Sequence, residues 1–372
     1  MSKGTIAILT AGGDCPGLNA VIRAVAKPLL AAGRRVLGVE DGFLGLIEDR
    51  VRPLEFPTVS GILALGGTIL GSSNKSNPLR FATGVNPDGS VVLSDVSPQV
   101  FATLERHDIR GVVVVGGDGS MSCATELRRA GISRGIDLKF VGVPKTIDND
   151  IVGTDVTFGF ASAVATAADA IDRLRTTAAS HHRVMIVELM GRNAGWIALH
   201  AGVAGGADII LVPEIPWSFE AVAERILDRR RLGLRYSIVA AAEGAAPRGG
   251  RRVVAHVDPS MPDPIRLGGI GAVLAAEIER RTRIEARCVV LGHMQRGGSP
   301  VAVDRVLATQ LGVAAARAVL EDRWGGLVVV QGGRLSEVPI ESVAERQRLI
   351  PPDDPTLAAA RAVQTSFGDE PV

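Results

Sequence analysis

The sequence predicts a doubly wound α/β fold, and three observations carry that prediction. First, a short β-branched run leads into glycines and then a helix-compatible stretch three times over. These are Thr5 to Leu9 into Ala11-Gly12-Gly13-Asp14, Val112 to Val115 into Gly116-Gly117-Asp118-Gly119, and Val184 to Leu189 into Met190-Gly191-Arg192. Second, the runs lack polar alternation, as strands covered on both faces do. Third, amphipathic stretches such as Ala161 to Leu174 lie between them and supply the covering helices.

The remaining elements follow the same logic in chain order. Phe140 to Val143 is a buried-strand candidate that meets Pro144-Lys145-Thr146, and Ile209 to Val212 and Ile238 to Ala242 are two more, the latter ending at Glu243. Arg248 to Arg252 and Met261 to Pro264 read as loop, from their Gly and Pro. Arg287 to Leu291 runs into Gly292-His293, Leu327 to Val330 is the last strand candidate, and Ile350 to Pro355 precedes a short helical tail. In open α/β sheets ligands bind beyond the carboxyl ends of such strands.

At 372 residues, with 46% hydrophobic and 22% charged, the chain can bury a sizeable core and divides into about two domains. A net charge of +1 with interspersed signs offers no face for nucleic acid. Cys15, Cys123 and Cys288 are far apart and form no CxxC, which implies neither a disulfide framework nor structural zinc and suits a reducing cytoplasm. No apolar run reaches the length of a membrane span, and the short run before Gly12 is too brief for a signal-peptide core. His181-His182 has no spaced third ligand and is not read as a metal site.

Two constellations carry chemistry. In Gly116-Gly117-Asp118-Gly119-Ser120 the glycines let backbone N–H groups approach a phosphate at a helix start, and Asp118 is placed to hold Mg²⁺. Alone, such a turn serves nucleotide, phosphate or a mere change of direction. Pro144-Lys145-Thr146-Ile147-Asp148-Asn149-Asp150 sets two carboxylates and a lysine at a strand end, which suits a proton acceptor, a metal and a screening cation; a solvated acidic turn is the plainer reading.

Taken together, five motifs in this order resemble those of the 6-phosphofructokinases, from about residue 5 to about residue 332. They are Gly12-Gly13-Asp14-Cys15-Pro16-Gly17-Leu18-Asn19, the Gly116 turn, Thr146-Ile147-Asp148-Asn149-Asp150, Met190-Gly191-Arg192 and Leu291-Gly292-His293-Met294-Gln295-Arg296-Gly297-Gly298-Ser299-Pro300. The resemblance implies two doubly wound, Rossmann-like α/β domains with the active site in the cleft between them. It implies a donor domain at 1–158 with about 294–344, and a sugar-phosphate domain at 159–293 with about 345–372. Fructose 6-phosphate and ATP or pyrophosphate are the implied substrates, Mg²⁺ the cofactor, and a homodimer or homotetramer with shared sites the assembly.

Residue by residue, the resemblance makes Asp148 the proton acceptor, with Lys145 beside it in catalysis, and Asp118 the magnesium ligand. Gly13, Gly117, Asp118, Gly119 and Ser120 match donor positions. The sugar side is implied to be Thr146, Ile147, Asp148, Met190, Gly191, Arg192 and Glu243, together with the turn His293, Met294, Gln295 and Arg296. Arg183 and Arg287 match arginines that reach across from a neighbouring subunit, as guanidinium groups suit phosphate.

The donor signature is mixed. ATP-using members commonly carry glycine at the positions of Gly119 and Lys145, and pyrophosphate-using members commonly carry Asp and Lys there. An aspartate at 119 would set charge against an α-phosphate, so Gly119 leads us to expect ATP, with a reversible pyrophosphate-dependent enzyme as the alternative. Asn74 and Lys75 stand where many bacterial ATP-dependent members have a bridging arginine, and they are carried as donor contacts. Phe56 replaces a usual effector-site arginine although Arg23, Lys27 and Arg175 align, so weak or no nucleotide regulation is expected. Sedoheptulose 7-phosphate fits the same grip on a terminal phosphate. A silent sugar-phosphate sensor is disfavoured by the intact Asp148, Asp118 and Gly117.

Overall fold

A computed structural model describes residues 4–87, 90–257, 265–344 and 346–370. The chain opens with β1 (Thr5–Thr10), α1 (Leu18–Ala31), β2 (Arg35–Val39), α2 (Phe43–Ile47) and β3 (Val51–Pro53). A hairpin of β4 (Phe81–Val85) and β5 (Val91–Ser94) follows, then α3 (Ser97–Arg106), β6 (Ile109–Gly116), α4 (Asp118–Ile132), β7 (Phe140–Thr146) and β8 (Phe158–Gly159). The next stretch holds α5 (Phe160–His181), β9 (Val184–Leu189), α6 (Trp196–Ala204), β10 (Ile209–Leu211), α7 (Phe219–Arg231) and β11 (Ser237–Ala242). It continues with β12 (Val254–Val257), β13 (Ile265–Leu267), α8 (Ile270–Thr282) and β14 (Ala286–Val290), and closes with α9 (Ala302–Leu320), β15 (Gly326–Gln331), β16 (Arg334–Pro339) and α10 (Pro355–Ala362).

These strands form two main sheets. The larger runs β16-β15-β7-β6-β1-β2-β3, with β8 added to β7; the smaller runs β10-β11-β9-β14. Every pairing in the smaller sheet is parallel, and in the larger one only the outer strands β3 and β16 run antiparallel. Every residue of β1, β9 and β11 is buried, as unalternated apolar runs require. In each sheet the strand order reverses beside a glycine turn, at β1/β6 and around β9, and crevices for ligands open at such reversals.

The helices α1 and α9 clamp the larger sheet from one side. Gly312 lets them approach, since a Cβ there would stand 2.6 Å from the Ala24 Cβ. The expected strand Phe140 to Val143 continues to Thr146, which puts Lys145 on a strand. Proline is tolerated there because β15 pairs with β7 only at Gly142 and β8 only from Lys145, so no strand pair falls on Pro144 on that side. The Met261–Pro264 segment lies outside the described residues. Among those described, no helix is long and apolar enough to cross a membrane.

Candidate active site

Three neighbouring carboxyl ends of the larger sheet build one wall. After β1, Gly12 turns the chain at φ 82; its N–H donates to the Ser73 carbonyl (3.0 Å) and its carbonyl accepts from the Ser72 hydroxyl (2.5 Å). After β6, Gly116 allows α4 to start at once, because a Cβ there would collide with the Ser120 side chain and stand 3.3 Å from the Ala11 carbonyl. Asp118 occupies the first turn of α4, where the helix dipole favours negative charge. A Cβ added at Gly119 would meet nothing within 4 Å, so that side of the turn faces open space.

At the end of β7, Lys145 is 4% exposed and its ammonium donates to the Gly13 carbonyl. Burial lowers its pKa, opposed by nearby acidic groups. Asp148 follows, its N–H donating to the Thr146 hydroxyl at 3.0 Å. One of its carboxylate oxygens is buried with no protein partner. Burial raises its pKa, against the lowering pull of Arg296 and Lys145. Asp150 is pushed up to about 7 by burial and then by Asp148 and Asp118.

The smaller sheet supplies the facing wall, again from carboxyl ends. β9 leads into Met190, Gly191 (φ 135) and Arg192. β11 leads into Glu243, whose N–H donates to the Leu189 carbonyl (2.8 Å) while Gly244 donates to Gly191 (3.1 Å), so the two turns are laced together. Burial, then Asp148 and Glu188, push Glu243 up to about 7. β14 leads into a single 3₁₀ turn, Gly292–Arg296. Gln295 is fully buried there and bonds the Gly292 carbonyl (3.1 Å), bracing the turn that presents His293 and Arg296.

Two depressions result. One, of about 510 Å³, is lined among others by Gly117 to Ser120, Lys145, Thr146 and Asp150. The other, of about 780 Å³, is lined by Met190, Arg192, Glu243 and His293. Gly12, Gly13, Asn74, Asp148 and Arg296 line both. The Arg296 guanidinium donates to the Asp14 carbonyl at 3.0 Å, and a Cβ on Gly13 would come within 2.9 Å of it.

The expected residues therefore divide. Gly13, Asn74, Gly117 to Ser120, Lys145, Thr146, Asp148, Met190, Arg192, Glu243, His293 and Arg296 line the depressions. Ile147 and Gln295 are fully buried beneath them, Gly191 shapes its turn, and Lys75 and the exposed Met294 line neither. Arg183 and Arg287 stand at the amino ends of β9 and β14, paired with Glu285 at 2.9 and 2.5 Å. With a strand of six residues between Arg183 and Met190, that is roughly 20 Å from the cleft. Sequence reading missed Thr68, Ser72 and Arg80, which line the depressions; the cluster of Ser72-Ser73-Asn74 was its one visible signal.

Among the described residues no three His, Cys, Asp or Glu side chains gather as a metal cage. A cation held by one or two carboxylates and completed by donor phosphates needs no such cage. Asp118 and the unpartnered Asp148 oxygen fit that kind of site.

A model of the family described as Phosphofructokinase matches residues 5–319. The ATP-dependent 6-phosphofructokinase 2 of Clostridium perfringens is 44% identical over 366 residues, covering 98% of each chain. The pyrophosphate–fructose 6-phosphate 1-phosphotransferase of Amycolatopsis methanolica is 45% identical over 349 residues, 94% of this chain and 96% of its own. The crystal structure of Pichia pastoris phosphofructokinase in the T-state matches with a TM-score of 0.76 at 31% identity, over 99% of this chain and 37% of that one.

Proposed function

The chain belongs to the phosphofructokinase family, and from that premise we propose how its two depressions divide one phosphoryl transfer. It is a 6-phosphofructokinase, placing a phosphoryl group on the 1-hydroxyl of fructose 6-phosphate. The observation that carries the division of labour is the shared wall: Asp148 and Arg296 face both depressions at once. A donor in one and an acceptor in the other meet there.

In this reading the smaller depression takes the donor. The α4 N-terminus and the Gly117–Ser120 backbone receive its phosphates, and Lys145, fixed over Gly13, screens the leaving oxygens. Asp118, with the unpartnered Asp148 oxygen near, would hold Mg²⁺, which when bound would supply positive charge against the charge developing on the donor phosphates. Asp148 takes the proton of the 1-hydroxyl, its raised pKa making it a stronger base than an exposed aspartate. Arg296 spans the junction and, with His293 and Arg192, grips the sugar phosphate, while Glu243 orients sugar hydroxyls.

ATP is the donor this reading favours, because the space beside Gly119 is open to an α-phosphate. Pyrophosphate is the second reading, favoured by the buried Lys145 and by the Amycolatopsis relative. Arg183 and Arg287 serve a neighbouring copy's sugar phosphate in a dimer or tetramer; their distance from their own cleft supports this. We assign the donor domain to the half built on the larger sheet and the sugar-phosphate domain to the half built on the smaller one, because each sheet supplies one wall of the cleft, and a cytoplasmic location goes with the substrates. The test is purified protein with Mg²⁺ and fructose 6-phosphate, given ATP or pyrophosphate in parallel. Faster fructose 1,6-bisphosphate formation with ATP supports the donor assignment, and faster formation with pyrophosphate reverses it.

A further inference from the structure

The segment Gln347–Ile350 ties the two walls of the cleft together without lining either depression. Gln347 forms an isolated antiparallel bridge with Ile151. The Arg348 N–H donates to the Asp150 carbonyl at 2.7 Å, and its guanidinium donates to the Asn149 carbonyl at 3.2 Å. On the other side the Arg348 carbonyl accepts the Trp196 indole N–H at 3.0 Å, and the guanidinium carbon stacks 4.1 Å from the indole ring centroid. Two residues later the Ile350 N–H donates to Glu214 (3.1 Å), whose same oxygen accepts from Gly195 at 3.0 Å.

One strap thus holds the two residues that follow Asp148 and the two that open α6 after the Met190–Arg192 turn. Asn149 is a left-handed residue at φ 53, and its side-chain oxygen is already committed to the Thr157 N–H at 3.0 Å. A non-glycine residue in that region is under strain and persists where its surroundings over-determine it. With the Asn149 side chain and carbonyl both fixed, the direction of the adjoining Asp148 side chain is set as well. Trp196 is 2% exposed, so the strap's other anchor is packed into the core.

We propose that Arg348 is a positioning residue for phosphoryl transfer, setting the distance between Asp148 and the sugar-holding Met190–Arg192 turn. This rests on the phosphofructokinase reading. Its loss leaves each wall able to bind its substrate and misaligns the two. Misplacement by about 1 Å costs up to about a hundredfold in rate.

The experiment compares wild type, Arg348→Ala and Arg348→Lys in three readouts: kcat with Mg²⁺, ATP or pyrophosphate and fructose 6-phosphate; the Kd for fructose 6-phosphate alone by calorimetry; and amide hydrogen exchange without substrates. For Arg348→Ala we expect kcat to fall about 10- to 100-fold with Kd within about threefold of wild type. Arg348→Lys, which keeps the charge and backbone bonds but loses the planar fork and stack, falls between. Exchange should quicken in both residues 147–151 and residues 190–197. A folded Arg348→Ala with kcat within twofold of wild type overturns the proposal, as does a Kd that rises as much as kcat falls. Unchanged exchange in either segment overturns it too, whatever the activity. Should Arg348→Ala not fold, Arg348→Lys is judged by the same criteria. A wild type inactive with both donors would instead sink the functional reading, and the exchange result would still decide whether the strap joins the walls.

Discussion

Asp148 has one carboxylate oxygen buried without a protein partner, on the wall that both depressions share. Asp148→Asn keeps the shape and removes the proposed base, so kcat should fall about a hundredfold to ten-thousandfold while calorimetric fructose 6-phosphate binding changes little. Near-normal turnover would remove the role. Gly119→Asp meets no steric barrier within the fold, yet in the proposed donor site it sets a carboxylate against a nucleotide α-phosphate. We expect kcat/KM with ATP to drop at least tenfold and more than with pyrophosphate; an equal drop with both donors would say that Gly119 does not read the nucleotide. Glu243, raised to about 7, keeps its proton in the fold through a window where the unfolded chain has lost it, roughly pH 4.5 to 7. The group therefore favours folding increasingly as pH falls from 7 toward 4.5, and its ionised form penalises the substrate-free protein above 7. Relative to wild type, Glu243→Gln should gain Tm as pH rises from 5 to 8, and a flat difference would show that the shift is absent. His200, lowered by burial, acts in the opposite sense and cancels in that difference.

Elements place these residues, and they also show what a sequence can and cannot disclose. Strand ends were legible because unbroken Val/Ile runs stop at glycine or charge, as at Val115 before Gly116 and Ala242 before Glu243. β2 escaped notice because Gly38 interrupts a short run; a Cβ there would collide with Leu70, so the glycine serves packing. β16 escaped because its outer position leaves most of it exposed and polar. Within the site, Asp118, Lys145 and Asp148 stand out as charge at a strand end. The Ser72 hydroxyl bond to Gly12 spans 60 residues, and the Thr10–Thr68 hydroxyl pair (3.0 Å) spans 58, so no local pattern marks them. The burial of Ile147 and Gln295 was equally hidden, since which face of a turn points inward is settled by packing. The Gly116 turn gives an element-scale prediction. Gly116→Ala pushes on Ser120 and shifts the start of α4, so the KM for donor should rise about tenfold or more while the Kd for fructose 6-phosphate stays within about twofold; equal effects on both would mean that the turn serves the fold at large.

At the scale of the molecule, Arg183 and Arg287 sit far from the cleft of their own chain, held by Glu285 and Glu279. If each completes a neighbour's site, Arg183→Ala and Arg287→Ala should each weaken fructose 6-phosphate binding by about 10- to 100-fold, the worth of a charge-assisted bond to phosphate. Mixed oligomers of Arg183→Ala and Asp148→Asn chains should regain part of the activity, because some sites then draw an intact arginine from one copy and an intact aspartate from the other. No recovery from verified mixtures would show that sites are not shared. The path of the chain carries a further consequence. The smaller sheet is complete at Val290, whereas the larger sheet, begun at Thr5, gains its last strands only at Gly326–Pro339. During synthesis on the ribosome, at about 5–20 residues per second, the half that starts first must finish last. The β7 edge beside Gly142 emerges unpaired and waits through nearly two hundred residues, roughly 10 to 40 seconds at that pace, before β15 arrives to cover it.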